Sequence, residues 1–496
     1  MCSETRMNIP RFKGLLRYGL PTILAFSFIP TLTAQGTASM SVSLNSSVLR
    51  REIPTDFLGL SFEMSSIMAA NNGGQAWMSG NTTPLSTMLS KVGVHNIRIG
   101  GNSSERTPYA STTDADNVEA FANLIGANLI WNVPVKQNYN QNTSVSFVQS
   151  MYNNWSARGY TFPLNIEIGN EPDNDDGTTG SHISYSTWQS RYDGFSSAFR
   201  SQIYSGILST GPSSAGCCSY PNGLENDPTY QGSLKSTIGD VTVHNYPLGS
   251  STSYGSVGAG EAALLQPSND SAYQTFYNNF NDNASNEGYT VRIEETNSAY
   301  GGSNNGFTNS YGAALWALDY FCYMAYNTNM GGMNLHNGPI GSDSGSYNAI
   351  SPIGVSSTPL SLQPPGYGLW VFHYGSQGQP LQVNVSNPSN VNVAVYGLLE
   401  DNGGETVHLI NRTSGVYATN ATITLTPDKA YDYAQVIVLQ QTNNDVTATS
   451  GITFGGQPMN SDGTWSGGYG PQQGLTNGSF TFTLPGAQAA IVHFYY

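Results

Sequence analysis

Charged residues are scarce in this chain of 496 residues, because Asp, Glu, Lys and Arg together make up 10% of it. The shortage is greatest for positive charge, with 17 Lys and Arg against 32 Asp and Glu, a formal net charge of −15 and a pI near 4.7. Nucleic acids and long sulfated polyanions are bound by basic stripes, which a chain of this composition lacks. We therefore expect no nucleic-acid partner, and a preference for an acidic medium in which the carboxylates are partly protonated.

Long hydrophobic runs are lacking as well. The most apolar stretch, residues 19–32, falls short of the ~20 residues that span a bilayer and contains Pro21 and Pro30. It follows three basic residues and precedes the small residues around Ala34, the layout of a secretory signal peptide. Residues 1–35 are therefore predicted to be a signal peptide, and the mature protein to be secreted and extracellular, with no membrane attachment after cleavage.

Asn-X-Ser/Thr sequons are consistent with that compartment. About eleven occur, and an Asn- and Ser-rich chain produces some of them by chance. They include Asn45, Asn81, Asn154, Asn283, Asn411, Asn420 and Asn477.

Cysteine is scarce and odd in number once the signal is removed, since Cys2 leaves with it and Cys217, Cys218 and Cys322 remain. A disulfide from Cys322 to one of the vicinal pair is possible, and the sequence does not choose between arrangements. Neither paired CxxC motifs nor HExxH occur, so neither a metal site nor a cofactor is predicted.

The middle of the chain repeats a unit made of a short β-branched strand and a longer segment with helical character. The strands recur at intervals of about 35 to 50 residues, as successive βα units do. A doubly wound sheet is the alternative, but no GxGxxG follows a strand. Eight units favour an α/β fold, a (β/α)8 barrel over residues 53–380. The predicted strands are 57–63, 95–101, 128–134, 164–172, 205–212, 241–247, 291–297 and 330–338.

The sequence pattern changes beyond about residue 380, where short segments of alternating apolar and polar residues are separated by Gly, Asn, Asp and Pro. This pattern predicts an antiparallel β-sandwich domain over residues 381–496. The N-terminal segment 36–52 reads as an edge strand that could join the sandwich. The prolines between 359 and 365 indicate a loop-rich end of the barrel, and the Gly-rich stretch 450–478 is expected to form loops.

Two glutamates stand where a barrel enzyme places its chemistry, at the C-terminal ends of the strands. Glu171 follows the fourth predicted strand and Glu295 ends the seventh, and these strands face each other across a closed eight-stranded barrel. Glycoside hydrolysis needs two such carboxyl groups, one as proton donor and one as nucleophile or base. Glu294 is a rival nucleophile, and because side chains alternate along a strand, only one of the two is expected to face the cleft.

The segments Asn170-Glu171-Pro172 and 295–302 (ETNSAYGG) resemble the corresponding motifs of glycoside hydrolase family 79, which holds β-glucuronidases, 4-O-methyl-glucuronidases and heparanase. The resemblance spans residues 38–496, is strongest at 95–101, 164–173, 241–247 and 291–302, and is weak elsewhere. It implies that Glu171 is the acid/base and Glu295 the nucleophile of a retaining mechanism. It also implies that Asn170 binds the sugar, and that the Tyr300 hydroxyl with the backbone N–H groups of Gly301 and Gly302 holds a glucuronate carboxylate.

Further polar residues at strand ends are candidates for sugar contacts, namely Glu63, Asn102, His244, Tyr246, Tyr347 and, more weakly, His336. His244 could instead orient the nucleophile, and Glu63 could form a structural ion pair. Glu167 shares the face of Glu171 but lies deeper, so we interpret it as a buried partner of Arg98 or Arg292.

The shortage of basic residues favours exo-action on a terminal β-glucuronate of a glycan or small glucuronide over heparanase-like cutting of sulfated chains. A barrel glycosidase of other specificity, such as a xylosidase, and a non-catalytic carbohydrate-binding protein are the alternatives. The sequence contains no indication of oligomeric state.

Overall fold

The computed structural model describes residues 36–106, 109–175, 180–228, 235–280, 288–301, 306–339 and 347–496. The predicted signal peptide, the anion-site residue Gly302 and the sequon at Asn283 lie outside these ranges. Residues 36–496 form one compact unit.

Eight parallel strands close into a barrel, each paired with its neighbours in chain order and the last with the first. The predicted (β/α)8 barrel is thus confirmed, with each strand within a few residues of its expected position. The strands are β2 (Leu58–Glu63), β3 (Asn96–Gly100), β4 (Asn128–Val133), β5 (Leu164–Ile168), β6 (Leu208–Ser214), β7 (Ile238–Asn245), β8 (Val291–Thr296) and β9 (Gly332–Asn337).

Helices connect these strands and cover the barrel. Their starts and ends follow local chemistry. One begins at a capping box between Ser111 and Asp114 and ends at Gly126, whose φ of 69° suits glycine. The helices are α1 (Met64–Ile67), α2 (Leu85–Val92), α3 (Thr112–Ile125), α4 (Gln141–Ala157), α5 (Tyr185–Gln202), α6 (Ser219–Glu225), α7 (Val257–Leu264), α8 (Asn269–Phe280), α9 (Tyr311–Asn327) and α10 (Pro364–Gly375).

Helix α10 corrects the expectation that the proline-rich segment forms loops. Pro364 and Pro365 occupy the first turn, where the missing N–H groups have no intrahelical acceptor to lose and the fixed φ suits a helix. Nearly all of the following residues are apolar and buried, and the helix packs along α9. The prolines therefore start a buried helix.

Strand β1 and the strands after residue 378 form the predicted β-sandwich domain. Segment 36–49 is β1, which pairs antiparallel with β12 (Gln379–Ser386) but parallel with β15 (Thr419–Thr426), so the sheet is not purely antiparallel. Alternate β1 residues, from Ala38 to Leu44, point into the domain's apolar core. The other strands are β10 (Ile350–Ser351) and β11 (Ser361–Leu362), which form a separate pair, and β12 (Gln379–Ser386), β13 (Val393–Leu399), β14 (Glu405–Asn411), β15 (Thr419–Thr426), β16 (Tyr433–Gln441), β17 (Ile452–Phe454), β18 (Gln473–Gly474), β19 (Phe480–Leu484) and β20 (Gln488–Tyr495).

The stretch 450–478 is mostly loop, as expected, but contains the short strands β17 and β18. The last strand, β20, lies between β14 and β16 in the sheet. Its run of apolar residues is too uniform to show the period of a half-exposed strand.

The pairing of the cysteines also differs from the bridge to Cys322 that the sequence allowed. Cys217 and Cys218 form a vicinal disulfide after β6, whereas Cys322 is a free thiol buried in α9. A bridge between Cys322 and the pair is therefore wrong.

Candidate active site

The two predicted carboxyl groups meet at the C-terminal mouth of the barrel. Carboxyl oxygens of Glu171 and Glu295 and an imidazole nitrogen of His244 all lie within 4.8 Å of one another. Both glutamates are largely buried, at 9% and 7% exposed. One sugar ring can therefore reach both groups, and a separation near ~5 Å is the spacing of retaining glycosidases.

Glu295 is held as a carboxylate by several positive or donating groups. Arg98 Nη1 donates to Glu295 Oε2 at 2.6 Å, and the Tyr246 hydroxyl donates to Oε1 at 2.7 Å. His336 Nδ1 lies 3.6 Å from Oε2. Burial opposes ionisation, but the charges of His336, His244 and Arg98, with the Tyr246 hydrogen bond, outweigh it and hold the pKa of Glu295 well below its usual range. Glu295 is thus equipped to act as a nucleophile.

Glu171 has a different environment, without an arginine contact among the described residues. Its Oε1 is hydrogen-bonded to His244 Nδ1 at 3.0 Å, and its Oε2 accepts from Asn174 Nδ2 at 2.8 Å. The backbone at Glu171 has a φ of 45°, the left-handed region that residues with a side chain rarely adopt. This unusual geometry aims the carboxyl group across the barrel mouth toward Glu295.

The rival Glu294 lies inside the barrel and is fully buried. Its Oε2 accepts from the Ser213 hydroxyl at 2.9 Å. Burial, followed by the charge of Glu167 and a hydrogen bond between the two carboxyl groups, raises the pKa of Glu294 far above its usual value. A protonated carboxyl group out of reach of the cleft is not a nucleophile.

The alternation argument against Glu294 was incomplete, because strand β8 is irregular. Val243 pairs with Ile293 and His244 with Glu295, so Glu294 is an extra residue in the register. Such a bulge lets two successive side chains point to the same side of a strand. The carboxyl groups of Glu294 and Glu295 therefore both face the inside of the barrel, and Glu294 is the more deeply buried of the two.

Arg98 is fully buried inside the barrel, where it contacts Glu295. Its guanidinium binds Glu167 through two hydrogen bonds, of 2.9 and 2.8 Å, and Asn170 Oδ1 at 2.7 Å, besides Glu295. Glu167 is therefore the buried partner of Arg98 that the sequence indicated, whereas Arg292 binds Asn334 and Asp56 instead.

Asn170 and Asn102 are brought together beside this network. Asn170 Nδ2 donates to Asn102 Oδ1 at 3.1 Å, and the Asn170 side chain also accepts from Arg98. Asn170 is 1% exposed. Its two side-chain contacts orient its amide between the buried arginine and the loop after β3.

Glu63, at the end of β2, lies on the far side of His336 from Glu295. Its Oε2 accepts from the Ser103 amide at 2.9 Å and from the Ser103 hydroxyl, and its Oε1 is 3.8 Å from His336 Nε2. His336 Nδ1 is also hydrogen-bonded to the Ser61 hydroxyl at 3.0 Å. His336 thus connects Glu63 with Glu295.

Three tyrosines border the site. The Tyr246 ring contacts the edge of Tyr300 at a centroid distance of 6.2 Å and lies 6.5 Å from Tyr347. Tyr300 is 53% exposed, while Tyr246 is bound to Glu295. The Gly301 carbonyl accepts from the Ser251 hydroxyl at 2.7 Å, which ties this loop to the one after β7. Gly302 lies outside the described residues, so the structure places only Gly301 of the predicted glycine pair.

Several residues of the site were not predicted from the sequence. The contact of Arg98 with Glu295 was missed, although an arginine in an apolar strand must find buried acidic partners. Asn174, Glu105 and Lys136 were missed as well, and nothing in their sequence context distinguishes them from ordinary loop residues.

The barrel, the paired carboxyl groups at its mouth and the accessory β-sandwich define the class of (β/α)8 glycoside hydrolases. Residues 394–491 match the family model described as "Glycosyl hydrolase family 79 C-terminal beta domain". A β-glucuronidase of Aspergillus niger is 29% identical over 185 residues, which cover 34% of this chain. The match spans about a third, 33%, of that relative's length.

Solved structures show the same fold over most of the chain. A 4-O-α-L-rhamnosyl-β-D-glucuronidase from Fusarium oxysporum 12S superposes with a TM-score of 0.68 at 19% identity, covering 92% of this chain and 99% of its own. A family 51 arabinofuranosidase from Xanthomonas axonopodis pv. citri has a TM-score of 0.65 at 12% identity, covering 92% and 100%. At these identities the structures show the fold alone, and the similarity to glycoside hydrolase family 79 lies in residues 394–491 and in the Aspergillus relative.

Proposed function

We propose that this chain is a secreted, retaining exo-β-glucuronidase. The observation that carries the proposal is the approach of the Glu171 and Glu295 carboxyl oxygens to within 4.8 Å, with Arg98 on Glu295. The similarity to an Aspergillus β-glucuronidase and a Fusarium rhamnosyl-glucuronidase supports glucuronate as the sugar.

In the first step, Glu295 attacks the anomeric carbon while Glu171 protonates the departing glycosidic oxygen. Arg98 and Tyr246 keep Glu295 ionised and aimed at the carbon. In the second step, Glu171 removes a proton from water, which attacks the same carbon and releases Glu295. Two displacements at one carbon retain the β-configuration.

The stereochemical course tests this mechanism. Proton NMR of the earliest product from a β-glucuronide is expected to show the β-anomer, which then mutarotates. An α-anomer as the first product would mean that water attacks directly, and the double displacement would be wrong.

Substrate class is tested by a panel of p-nitrophenyl glycosides. We expect the glucuronide to be hydrolysed with the highest kcat/KM, ahead of glucoside, galactoside and xyloside. Preference for a neutral sugar would favour the runner-up, a barrel glycosidase of other specificity such as a xylosidase. No hydrolysis of any glycoside, with glycan binding intact, would favour a non-catalytic binding protein.

The glucuronate carboxylate is proposed to bind at Tyr300, Gly301 and Gly302, because exposed backbone amides can hold an anion without a formal positive charge. Tyr300→Phe should therefore lower kcat/KM for the glucuronide more than for the glucoside, since only the former places a carboxylate there. Steady-state kinetics on both substrates measures the difference, and equal losses would contradict this anion site.

Exo-action and secretion are proposed on the charge balance and the N-terminal sequence. The 17 basic residues of the chain do not suit a long sulfated polyanion, so a terminal glucuronate on a glycan or small glucuronide fits better. In the described part of the chain, none of the helices has the length and apolarity needed to cross a bilayer.

The same three atoms of Glu171, His244 and Glu295 could geometrically hold a metal ion. The sequence predicted no metal, and the glycosidase mechanism above uses none. Hydrolysis of the glucuronide is therefore expected to be unchanged after dialysis against EDTA, and a loss restored by a divalent cation would instead assign these residues as metal ligands.

A further inference from the structure

The loop that carries Glu171 is held in a conformation that its own sequence does not favour. Glu171 has a φ of 45°, and Gly169, two residues earlier, has a φ of 95°. A left-handed glutamate is energetically unfavourable, so it persists only where its surroundings hold it in place. Part of that support comes from β6, whose Ser213 carbonyl accepts from the Glu171 amide at 2.9 Å.

The other side of the loop is held by Lys136, which follows strand β4. Its Nζ donates to the Glu171 carbonyl at 2.9 Å and to the Asn174 carbonyl at 3.3 Å. Lys136 is 8% exposed. A buried ammonium is uncommon unless its hydrogen-bonding capacity is used, and here two carbonyls of the acid/base loop use it.

Lys136 is fixed in turn by the buried Glu105. The Glu105 carboxyl accepts the backbone N–H groups of Val135 at 2.9 Å, Lys136 at 2.7 Å and Asn170 at 3.3 Å. One carboxyl group therefore joins the backbone that carries Lys136 to the backbone that carries Asn170. The two loops after β4 and β5 are locked together at this point.

Asn174 extends the support to the Glu171 side chain. Its carbonyl accepts from Lys136, while its own Nδ2 donates to Glu171 Oε2 at 2.8 Å. The ammonium thus restrains the Glu171 backbone directly and its carboxyl group through Asn174.

We propose that Lys136 is a positioning residue for Glu171, holding the loop of residues 169–174 so that the acid/base carboxyl group stays aimed at the glycosidic oxygen. This inference rests on the proposed function, because it assigns Lys136 a task in the step in which Glu171 gives and later takes a proton. Lys136 acts through the loop and makes no contact with the substrate.

The test separates the proton-transfer step from the rest of catalysis. Aryl glucuronides with an excellent leaving group, 2,4-dinitrophenol, depart without a proton, whereas a poor leaving group such as 4-methoxyphenol needs one from the acid. We expect Lys136→Met to lower kcat/KM for the 4-methoxyphenyl glucuronide by about 100-fold, the loss that a misplaced catalytic group produces, and to leave the dinitrophenyl value within about threefold. Azide attacks the glycosyl-enzyme without a general base. Added azide should therefore restore the kcat that Lys136→Met loses on the dinitrophenyl substrate, and yield the β-glucuronyl azide.

Matched variants make the result specific. Lys136→Arg keeps donors for both carbonyls and should recover most of the 4-methoxyphenyl activity. Lys91→Met, at the exposed end of α2, should match the wild type on both substrates. If Lys136→Met does not fold, Lys136→Gln is compared in the same way.

Two patterns would overturn the proposal. In the first, Lys136→Met loses kcat/KM equally on both substrates, as expected of a general structural role. In the second, it loses none on either. Glu171→Ala provides the reference for a lost acid, and the wild type tests the proposed function itself. An inactive wild type refutes that function, whereas an active wild type with the expected Glu171→Ala pattern and a non-selective Lys136→Met refutes only the positioning role.

Discussion

At the scale of single residues, the pKa values of the adjacent Glu294 and Glu295 are shifted in opposite directions because the two side chains have different surroundings. His336, His244, Arg98 and the Tyr246 hydroxyl lower the pKa of Glu295, while burial and then the charge of Glu167 raise the pKa of Glu294. Arg98 is the common element, since it binds Glu295 and Glu167 at once. The local charge pattern, rather than residue type, decides which carboxyl group can be the nucleophile.

The adjacent pair offers a matched test of this difference. Glu295→Gln should reduce turnover of a glucuronide by several orders of magnitude, because an amide cannot form the covalent intermediate. Glu294→Gln should retain most activity, since glutamine resembles the protonated acid and can still donate to Glu167. Turnover numbers and Tm values measured on the two purified variants show whether Glu295 is needed for activity and Glu294 is not. Loss of activity in Glu294→Gln with an unchanged Tm would contradict the assignment.

At the scale of elements, much of the architecture could be predicted because buried parallel strands read as short β-branched runs. The eight barrel strands and the two glutamates at their ends followed from this pattern. The prolines of helix α10 indicate a loop in the sequence although they start a helix, and the bulge at Glu294 cannot be seen in a one-dimensional pattern. Contacts such as that of Lys136 with the Glu171 carbonyl join distant segments, so only the folded chain reveals them.

The contact between barrel and sandwich contains a buried ion pair. Arg412, after β14, binds Asp319 of α9 at 2.7 Å and Asp270 of α8 at 2.8 Å. Arg412→Met leaves Asp319 with the Tyr396 hydroxyl but without its charged partner, and should destabilise the fold by about 3 kcal/mol, as for other broken buried pairs. A urea denaturation curve measures the loss.

An exposed pair provides the control. Arg158 and Asp116 are bridged at 2.6 Å on the barrel surface, with the Arg158 side chain 48% exposed. Arg158→Met should therefore cost under about 1 kcal/mol. Equal shifts of the urea midpoint in the two variants would show that the interface pair contributes no more than a surface one.

At the scale of the whole molecule, buried acids set the pH dependence of stability. Burial is the main cause that raises the pKa of Glu105 to about 7, of Asp240 to about 6 and of Glu261 to about 9. The folded state thus binds protons that the unfolded state releases near its ordinary carboxyl pKa, so stability falls as pH rises through this window. Glu295 and Glu167, whose pKa values are lowered, contribute stability that is lost only at more acidic pH.

We therefore expect Tm to be highest near roughly pH 4 to 5 and to fall toward pH 8. Glu261→Gln, which cannot ionise, should raise Tm at pH 8 relative to the wild type and change it little at pH 5. Differential scanning calorimetry at the two pH values measures both effects. A wild-type Tm that is higher at pH 8 would contradict this account of the buried acids.

In the mechanism that we propose, Glu295 forms a covalent bond with the sugar while Glu171 gives and takes the proton. Incubation with a 2-deoxy-2-fluoro-β-glucuronide bearing a good leaving group slows breakdown of that intermediate, and mass spectrometry of proteolytic peptides locates the label. We expect one fluoroglucuronyl group, attached to Glu295. A label on Glu294 or on Glu171 would contradict it.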